Sequence, residues 1–374
     1  MTRVLHIARY TTIPVERRVA LMAAEPGFAF WLVRPQPIGG RYDGEAIRNR
    51  SVLHGVRTVR VWRPGHAHRA VYQTVAFGMR SVEPDIIHAE EEPDSLAALQ
   101  ILTARRLLAP NARLILNTCQ NVDRRKRPWV EWVLHRSLSA ADAVVCRNAD
   151  ASTLLRAFGY RRPAPVIPAL TLDAGIYHRR NVPRLSDAFT IAFVGRLAPE
   201  KGLDTLIQAT AMLPSPVILL LVGAGPCHAA LAAQAGEAGI GDSVRFVGEL
   251  DFDQVANLLS AADVLVLPSR STPVWKEQFG RVLIEAMGCE LPIVGSDSGS
   301  IPAVLDGNGL LFPENDAVAL AAQLRRLRDS SELRQELGRR GRDYVTREHT
   351  PEKRARETVD FYRRLLAPPD RLGG

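Results

Sequence analysis

Short apolar segments recur along the first half of the chain, separated by longer stretches in which apolar residues return at helical spacing. The segments, rich in Val, Ile and Leu, are Val4–Ala8, Phe28–Val33, Thr58–Val61, Ile86–Ala89, Arg113–Leu116, Ala143–Cys146 and Pro165–Ile167. Continuous apolar runs that alternate with helices are typical of buried parallel strands in βαβ units. The pattern predicts a Rossmann-like α/β domain over residues 1–172.

A polar stretch with prolines and arginines, Asp173–Asp187, interrupts this alternation. The strand-like segments then resume as Thr190–Val194, Val217–Val222, Val244–Val247, Val264–Leu267, Ile293–Gly295 and Leu310–Phe312. Helical spacing between them occurs in Gly202–Met212, Cys227–Ala238, Asp253–Ala261, Arg281–Met287 and Asp316–Arg328. We therefore expect a second Rossmann-like domain over residues 188–349.

The end of the chain, residues 350–374, has the pattern of a helix with a short tail. Thr350 is a cap candidate, and Pro351 suits the first helical position. Apolar residues then recur at helical spacing at Val359, Tyr362, Leu365 and Leu366. These positions predict an amphipathic helix.

The composition agrees with two soluble domains. A chain of 374 residues with 46% hydrophobic and 24% charged residues is too long for one ordinary core. No stretch approaches the roughly 20 apolar residues that a membrane-spanning helix needs, and MTRVLHIARY leads into a strand-like segment instead of a signal-peptide core. We expect a cytoplasmic protein whose four cysteines, which lack zinc-like spacing, are reduced and packed.

Positive charge is concentrated in the first half of the chain. Residues 1–170 carry 25 Lys and Arg against 14 Asp and Glu, net +11, whereas residues 171–374 carry 23 against 26, net −3. Solubility alone explains such a charge; an anionic membrane surface, an anionic acceptor or nucleic acid are the other interpretations.

A first candidate site begins at Phe193, where a strand is followed by GRLAPEKG and then by a helix. A strand-end turn before a helix start places unpaired backbone N–H groups and a positive dipole end where an anion can bind. Arg196 and Lys201 could close on a diphosphate from either side. The alternative is a basic surface loop, but the carboxyl end of a strand is where open α/β sheets bind ligands.

A second candidate site is the run from Glu277 to Gly288, in which Gly280 opens a helix. Glu277 lies just before this helix and Glu285 about a turn and a half inside it. Two carboxylates can therefore line one pocket, one near a sugar and one near a ribose, because each accepts hydrogen bonds from hydroxyls. The alternative is a pair of solvated glutamates on an amphipathic helix.

Glycines also follow the strand-like segment Val217–Val222. The turn Gly223-Ala224-Gly225-Pro226 lacks the third glycine of a dinucleotide-binding motif, because His228 occupies that position. These glycines indicate a tight turn from strand to helix.

Both candidate sites, with LLLVGAGP, VRFVGEL and AADVLVLPS between them in that order, closely resemble the family 4 glycosyltransferases, the glycosyl transferases group 1, over about residues 188–345. That family has the GT-B fold, in which two Rossmann-like domains face a cleft. The resemblance implies an N-terminal acceptor domain, a C-terminal nucleotide-sugar donor domain, and a last helix that returns to the first domain.

The resemblance also implies roles for individual residues. Arg196 and Lys201 would hold the donor diphosphate, Glu277 would contact the donor sugar, and Glu285 would contact the ribose. Backbone groups of the turn at Phe279–Val282 would hold sugar hydroxyls and phosphate, and the loop Gly248–Leu250 would lie near the base. The other implied donor-side residues are Gly195, Gly223, Glu249, Gln278, Gly280 and Arg281.

The implied activity is transfer of a hexose-type sugar from a nucleoside diphosphate donor, UDP- or GDP-linked, to an unidentified acceptor, which could be a glycan, a lipid or a small molecule. The transfer would retain configuration and need no metal or other cofactor. Arg196 and Lys201 would stabilise the charge that grows on the leaving diphosphate. The AADVLVLP run contains no DxD motif, which is consistent with metal independence. The alternatives are a sugar-nucleotide epimerase of the same fold and a non-catalytic nucleotide-sugar-binding protein.

The acceptor side is less defined. Many family members have a second histidine two residues after the position of His88, and this chain has Glu90 there, which could act as a base or bind acceptor hydroxyls. His88 lies within an apolar strand, which favours a buried structural role. Arg9, Gln120 and Asn121 follow other strand-like segments and are candidates for acceptor contact or ordinary loop residues.

A cationic cluster, Arg124–Arg127, precedes Trp129 and Trp132. Basic residues beside aromatic residues suit contact with anionic lipid headgroups, so a peripheral contact with an inner membrane surface is one interpretation. A solvated loop is the other. Nucleic acid is disfavoured because the cluster lacks a recognisable reading motif.

Overall fold

The computed structural model describes residues 1–10, 13–36, 52–64, 66 and 68–367. The chain forms two compact units, one made of Met1–Ala169 and Pro351–Gly374 and the other of Leu170–Thr350. The chain thus passes from the first unit to the second at Leu170, near the start of the segment in which the sequence predicts a boundary.

The first unit is built on a six-stranded parallel sheet with the order β3-β2-β1-β6-β7-β8. Its elements are β1 (Thr2–Ile7), α1 (Ile13–Ala23), β2 (Phe28–Pro35), β3 (Gly55–Val59), β4 (Val61–Trp62), β5 (Val71–Tyr72), α2 (Ala76–Val82), β6 (Ile86–Ala89), α3 (Leu96–Leu108), β7 (Arg113–Thr118), α4 (Pro128–Ala140), β8 (Ala143–Cys146) and α5 (Ala149–Ala157). The two short strands β4 and β5 pair with each other in a separate antiparallel ribbon.

Strand residues of the first unit divide between two apolar cores, one on each face of the sheet. In β1, Leu5 and Ile7 join one core and Val4 joins the other. Successive side chains of a strand point to opposite faces, so a strand that is covered on both sides needs an unbroken apolar run. This requirement explains why the sequence pattern located these strands.

The segment Pro165–Ile167 departs from the predicted strand. Among the residues that the structure describes, one bridge, between Cys146 and Val166, joins it to the sheet. Pro163, Pro165 and Pro168 have no backbone N–H to donate, and this limits the ladder that the segment can form.

The second unit has a six-stranded parallel sheet with the order β11-β10-β9-β12-β13-β14. Its elements are β9 (Phe189–Val194), α6 (Leu203–Ala211), β10 (Val217–Val222), α7 (His228–Glu237), β11 (Val244–Gly248), α8 (Phe252–Ala261), β12 (Val264–Leu267), α9 (Arg281–Gly288), β13 (Ile293–Ser296), α10 (Ile301–Leu305), β14 (Leu310–Phe312), α11 (Ala317–Asp329) and α12 (Ser331–Glu348). All residues of β10 and β12 are buried.

Both sheets follow the Rossmann order 3-2-1-4-5-6 when each sheet's strands are counted along the chain. The order reverses between β1 and β6 in the first unit and between β9 and β12 in the second. Loops that follow adjacent strands diverge to opposite faces at such a switch point, which leaves a crevice at the carboxyl ends. The predicted pair of Rossmann-like domains is therefore confirmed.

The last helix, α13 (Pro351–Leu366), packs against α1 and belongs to the first unit. Val359 and Tyr362 are buried, as an amphipathic helix requires, whereas Leu366 is exposed. The Tyr362 ring packs beside Phe28 and Phe30. The predicted return of the chain to its first domain is confirmed.

Candidate functional site

The loop that follows β9 runs from Gly195 to Gly202 and starts at the switch point of the second sheet. It contains a single 3₁₀ turn, Pro199–Lys201, after which α6 begins. Gly202 adopts a left-handed conformation with φ 64°, and a Cβ there would lie 2.0 Å from the carbonyl oxygen of Pro268. Only glycine lets this loop approach so closely the chain that follows β12.

The two predicted phosphate ligands differ in their surroundings. The Arg196 side chain is 65% exposed and forms an ion pair with Glu200, four residues further along the same loop. The Lys201 side chain is only 17% exposed, and its Nζ donates a hydrogen bond of 2.6 Å to Oε2 of Glu277. The ammonium also lies 4.7 Å from the ring centroid of Trp275. Lys201 is therefore the more fixed of the two cations.

Glu277 is buried and lies at the junction of the two candidate sites. Its Oε2 accepts hydrogen bonds from Lys201 and, at 2.9 Å, from the hydroxyl of Ser269. Its main-chain carbonyl accepts a bond of 3.0 Å from the Ser300 amide. These contacts connect the loops that follow β9, β12 and β13, so the structure brings the two candidate sites together.

Glu285 is also buried, at 8% exposure, inside α9. Burial raises its pKa, although Arg281 and a hydrogen bond with Tyr177 act in the opposite direction. Burial and the same carboxylate raise the pKa of Tyr177. Both glutamates are thus buried, which excludes the alternative of two solvated side chains.

The start of α9 presents mainly backbone. Gly280 precedes the helix with φ 78°, and Phe279 and Val282 bury their side chains in the core. Gln278 is half-buried and Arg281 exposed. The first N–H groups of a helix lack intrahelical partners and carry the positive end of the dipole. Beside Glu277, they provide donors for an anion.

The loops after β10 and β11 meet at a pair of glycines. The Gly223 amide donates a 2.7 Å hydrogen bond to the Gly248 carbonyl. A Cβ on Gly223 would lie 2.1 Å from the Gly195 carbonyl oxygen, so the three loops are in close contact. Glu249 is exposed, and Leu250 packs partly against the core. The structure therefore gathers the predicted donor-side residues at one edge of the second sheet.

In the first unit, Glu90 lies in a buried ionic cluster. It pairs with Arg18, and its Oε1 is 3.5 Å both from Nε2 of His6 and from Nη2 of Arg147. Burial alone would raise the pKa of Glu90, but Arg18, His6 and Arg147 outweigh burial and hold it well below its ordinary value. Burial and Arg18 lower the pKa of Arg147 to about 10. Glu90 is therefore a fixed anion, poorly suited to take up a proton.

His88 is buried in β6. Its Nδ1 bonds to the Tyr362 hydroxyl of α13, and its Nε2 lies 2.9 Å from the side-chain amide of Asn117. Burial and the neighbouring His6 hold the pKa of His88 well below its ordinary value. A neutral, buried imidazole fits the structural role that the sequence favoured.

The other acceptor-side candidates lie around the carboxylates that follow Glu90. Arg9 pairs with the buried Glu91, and the Gln120 side chain donates a 2.6 Å bond to the buried Asp94. Asn121 is buried. All of these residues follow the carboxyl ends of β1, β6 or β7, at one edge of the first sheet.

Sequence reasoning missed several residues that hold these groups. Trp275 and Ser269 precede the second candidate site and were not singled out by the sequence pattern, and Tyr177 lies in the boundary segment. Arg18 and Arg147 reach Glu90 from 72 and 57 residues away. An aromatic residue in a polar stretch was the one signal available for Trp275 and Tyr177.

Of the four cysteines, Cys146 and Cys289 are buried, and Cys119 and Cys227 are half-buried. Within the described ranges, no group of three or more His, Cys, Asp or Glu side chains is arranged to hold a metal ion. None of the helices that the structure describes is both long and apolar enough to span a membrane.

The family described as glycosyl transferases group 1 matches residues 178–344, the range that contains both candidate sites. Over this range the chain is similar to the group 1 glycosyltransferases. Relatives with curated names match part of the chain. A D-inositol 3-phosphate glycosyltransferase of Mycolicibacterium smegmatis is 33% identical over 197 residues, 49% of this chain and 42% of the relative. An N-acetyl-alpha-D-glucosaminyl L-malate synthase of Bacillus anthracis is 30% identical over 206 residues, 52% of each. The chain thus spans about half the length of the curated relatives it matches.

Solved structures resemble the chain over nearly its whole length. A sucrose-phosphate synthase from Thermosynechococcus elongatus has a TM-score of 0.71 at 23% identity and covers 98% of this chain and 99% of its own. HepE of Anabaena, in complex with UDP, has a TM-score of 0.71 at 17% identity, with 97% and 100% covered. At these identities the likeness concerns the fold, and the fold is GT-B.

Proposed function

We propose that the chain is a group 1 glycosyltransferase and that it moves a hexose-type sugar from a nucleoside diphosphate donor to an acceptor hydroxyl. The observation that carries the proposal is the partly buried contact between Lys201 and Glu277 at the switch point of the second sheet, beside the start of α9. A cation, a carboxylate and helix-start amides within one site match a diphosphate that is linked to a polyhydroxyl sugar.

The diphosphate binds by replacing the ion pair of Arg196 with Glu200 and by sharing the ammonium of Lys201 with Glu277. Arg196 is exposed and its pair with Glu200 contributes little to stability, so its guanidinium can turn to a phosphate at small cost. The Lys201 ammonium shares its charge between Glu277 and the phosphate. As the bond from the sugar to the diphosphate breaks, negative charge grows on the leaving oxygen, and these cations stabilise it more strongly than in the ground state.

The two glutamates hold the rest of the donor. Glu277, which Lys201 and Ser269 hold in place, accepts hydrogen bonds from sugar hydroxyls, and Glu285 accepts them from the ribose. The acceptor attacks from the face of the leaving group, so configuration is retained without a covalent nucleophile. Charge neutralisation by Arg196 and Lys201 makes a metal ion unnecessary. A UDP- or GDP-sugar is the proposed donor, and HepE was solved with UDP.

Incubation with a panel of UDP-, GDP-, ADP- and TDP-sugars tests this proposal. We expect slow release of free sugar with one donor, its anomeric configuration read by NMR before mutarotation, and loss of most turnover in Lys201→Met. Lys353→Met, in α13 of the first unit, is the matched control and should turn over normally. Formation of an epimeric nucleotide sugar would instead support an epimerase, and binding without turnover a non-catalytic protein; either result contradicts the proposal.

We also propose that the first unit touches an anionic membrane from the cytoplasmic side. Arg124, Arg125 and Arg127 are exposed, whereas Lys126 lies with its ammonium 5.2 Å from the Phe158 ring centroid. Trp132, one turn into α4, is 55% exposed. Three solvent-facing guanidinium groups near an exposed indole suit phosphate headgroups and the interfacial region.

Sedimentation with vesicles tests this contact. The protein should bind vesicles of phosphatidylcholine with phosphatidylglycerol at low salt, and replacement of the three arginines by glutamate should abolish binding. The control variant carries three matched replacements on the second unit, at Arg325, Arg326 and Arg340, and should bind normally. Equal binding by both variants, or none by the wild type, would disprove the contact.

A further inference from the structure

The donor-site lysine has two neighbours of different kinds. Its ammonium is 2.6 Å from a carboxylate oxygen of Glu277 and 4.7 Å from the ring centroid of Trp275. A lysine has a flexible four-carbon stem, so an ammonium without fixed neighbours samples many positions. The carboxylate and the indole together hold the Lys201 ammonium where the loops after β9 and β12 meet.

Trp275 is itself held in place by a reverse turn. The Thr272 amide donates a 2.7 Å hydrogen bond to the Trp275 carbonyl, and the Trp275 amide donates one of 3.4 Å to the Thr272 carbonyl. The adjacent Ser271 donates from its amide and its hydroxyl to Glu314, both at 2.6 Å. The turn that carries the indole is therefore fixed to the chain after β14.

A second set of contacts connects this loop to the one that carries Lys201. Arg270 pairs with Asp204 of α6, and its amide donates a 2.9 Å bond to the Glu200 carbonyl. The close approach of Gly202 to Pro268 lies in the same region. The indole and the ammonium thus belong to two loops that are joined at three places, and their spacing is set by the fold.

The two neighbours act differently when an anion arrives. Glu277 is a full negative charge, which attracts the ammonium but repels a diphosphate. An indole face attracts a cation through its quadrupole and carries no net charge. It can fix the ammonium while leaving its positive charge available to phosphate oxygens.

We propose that Trp275 is a positioning residue of the donor site, which holds the Lys201 ammonium ready for the diphosphate through its indole face. This inference rests on the proposed function, because it assumes that Lys201 binds the diphosphate. It adds a requirement for an aromatic ring at position 275 that the charges alone do not impose.

A double-mutant cycle on the full chain tests the inference. The probe is whichever of UDP, GDP, ADP or TDP raises the melting temperature most, and its Kd is measured by calorimetry for Trp275→Leu, Lys201→Met and the double variant. Loss of a partly buried cation–π contact should weaken binding by roughly 3- to 30-fold in Trp275→Leu. Trp275→Phe should recover most of the affinity. In the Lys201→Met background, Trp275→Leu should have no further effect, because no ammonium remains to be positioned.

A merely structural role for Trp275 gives a different pattern. Losses that multiply in the double variant, or a Trp275→Phe variant as weak as Trp275→Leu, would overturn the inference, as would wild-type binding by Trp275→Leu. Trp62→Leu, at an indole that is 61% exposed in the first unit, is the control and should bind normally. If Lys201→Met itself binds the probe like the wild type, or if no diphosphate binds, the assignment of the diphosphate site fails. If Lys201→Met is weak while Trp275→Leu is not, only the role of Trp275 fails.

Discussion

Replacement of Glu90 by glutamine should destabilise the first unit severely. The Glu90 side chain is 9% exposed and that of its partner Arg18 is 8% exposed, with Arg147 also nearby. The variant would leave two buried guanidinium groups without their anion. Removal of one partner of a buried ion pair costs about 3–5 kcal/mol, because the other charge stays buried and uncompensated.

The expected loss in the free energy of unfolding corresponds to a measurable decrease in melting temperature. For a unit of about this length, 1 kcal/mol corresponds to roughly 2–4 °C, so Glu90→Gln should lower the melting temperature of the first unit by roughly 6–20 °C. Differential scanning calorimetry resolves the two units if they unfold separately. Glu83→Gln is the control, because Glu83 forms an ion pair with Arg3 but its side chain is 75% exposed. An exposed pair contributes about 0–1 kcal/mol.

The same contact predicts a pH dependence. The folded-state pKa of Glu90 lies well below its ordinary value, so the unfolded chain takes up a proton at a higher pH than the folded chain does. The stabilisation is therefore complete above the ordinary pKa of a glutamate and is lost as the pH falls below it toward the folded-state pKa. The difference in melting temperature between the wild type and Glu90→Gln should therefore become smaller as the pH falls through that acidic range. A variant that melts within about 1 °C of the wild type at pH 7 would refute this account of the ionic cluster.

Three further predictions concern the second unit. Gly202→Ala should lower both the melting temperature and the affinity for the nucleoside diphosphate, because its Cβ would meet the Pro268 carbonyl at 2.0 Å. Gly239→Ala, with φ 71° and no atom within 4 Å of the added Cβ, is the control for backbone strain and should keep its affinity in the same titration. Glu285→Gln should melt at the same or a higher temperature at pH 7, because burial disfavours the charged form of the carboxyl. It should bind the nucleotide sugar roughly 10-fold more weakly, because charge-assisted hydrogen bonds are lost, and unchanged affinity would contradict the ribose role. Tyr177→Phe removes a hydrogen bond to Glu285 and should raise the pKa of that carboxyl, so on acidification donor affinity should begin to fall at a higher pH than in the wild type. Calorimetry between pH 5 and 8 measures this, and identical pH profiles would count against the contact.

The two sheets could be predicted because their strands are covered on both faces. Burial on both sides requires continuous apolar runs, and such runs are visible in β10 and β12 without knowledge of the fold. The segment Pro165–Ile167 satisfied the same pattern but formed only a bridge, since three prolines around it reduce its hydrogen-bonding capacity. Apolar runs thus predict where strands lie, whereas the number of backbone N–H groups available limits how many hydrogen bonds each strand forms with its neighbour.

The candidate site could be predicted only in part. The sequence located Lys201, Glu277 and Glu285 because each stands at a fixed distance from a strand end or a helix start. It did not show that Lys201 and Glu277 are in contact, since 76 residues separate them. Nor did it show that Glu90, which follows β6, is buried between two arginines, because Arg18 comes from α1 and Arg147 directly follows β8. Side-chain partners depend on the packing of distant elements.

The proposed donor site requires a diphosphate to bind beside Lys201 at the start of α9. A crystal structure of the protein with the nucleoside diphosphate that binds most tightly would test it directly. The account predicts that a phosphate oxygen lies within about 2.7–3.2 Å of Lys201 Nζ and of an amide in the first turn of α9. A diphosphate bound elsewhere, with the Lys201–Glu277 pair undisturbed, would contradict it.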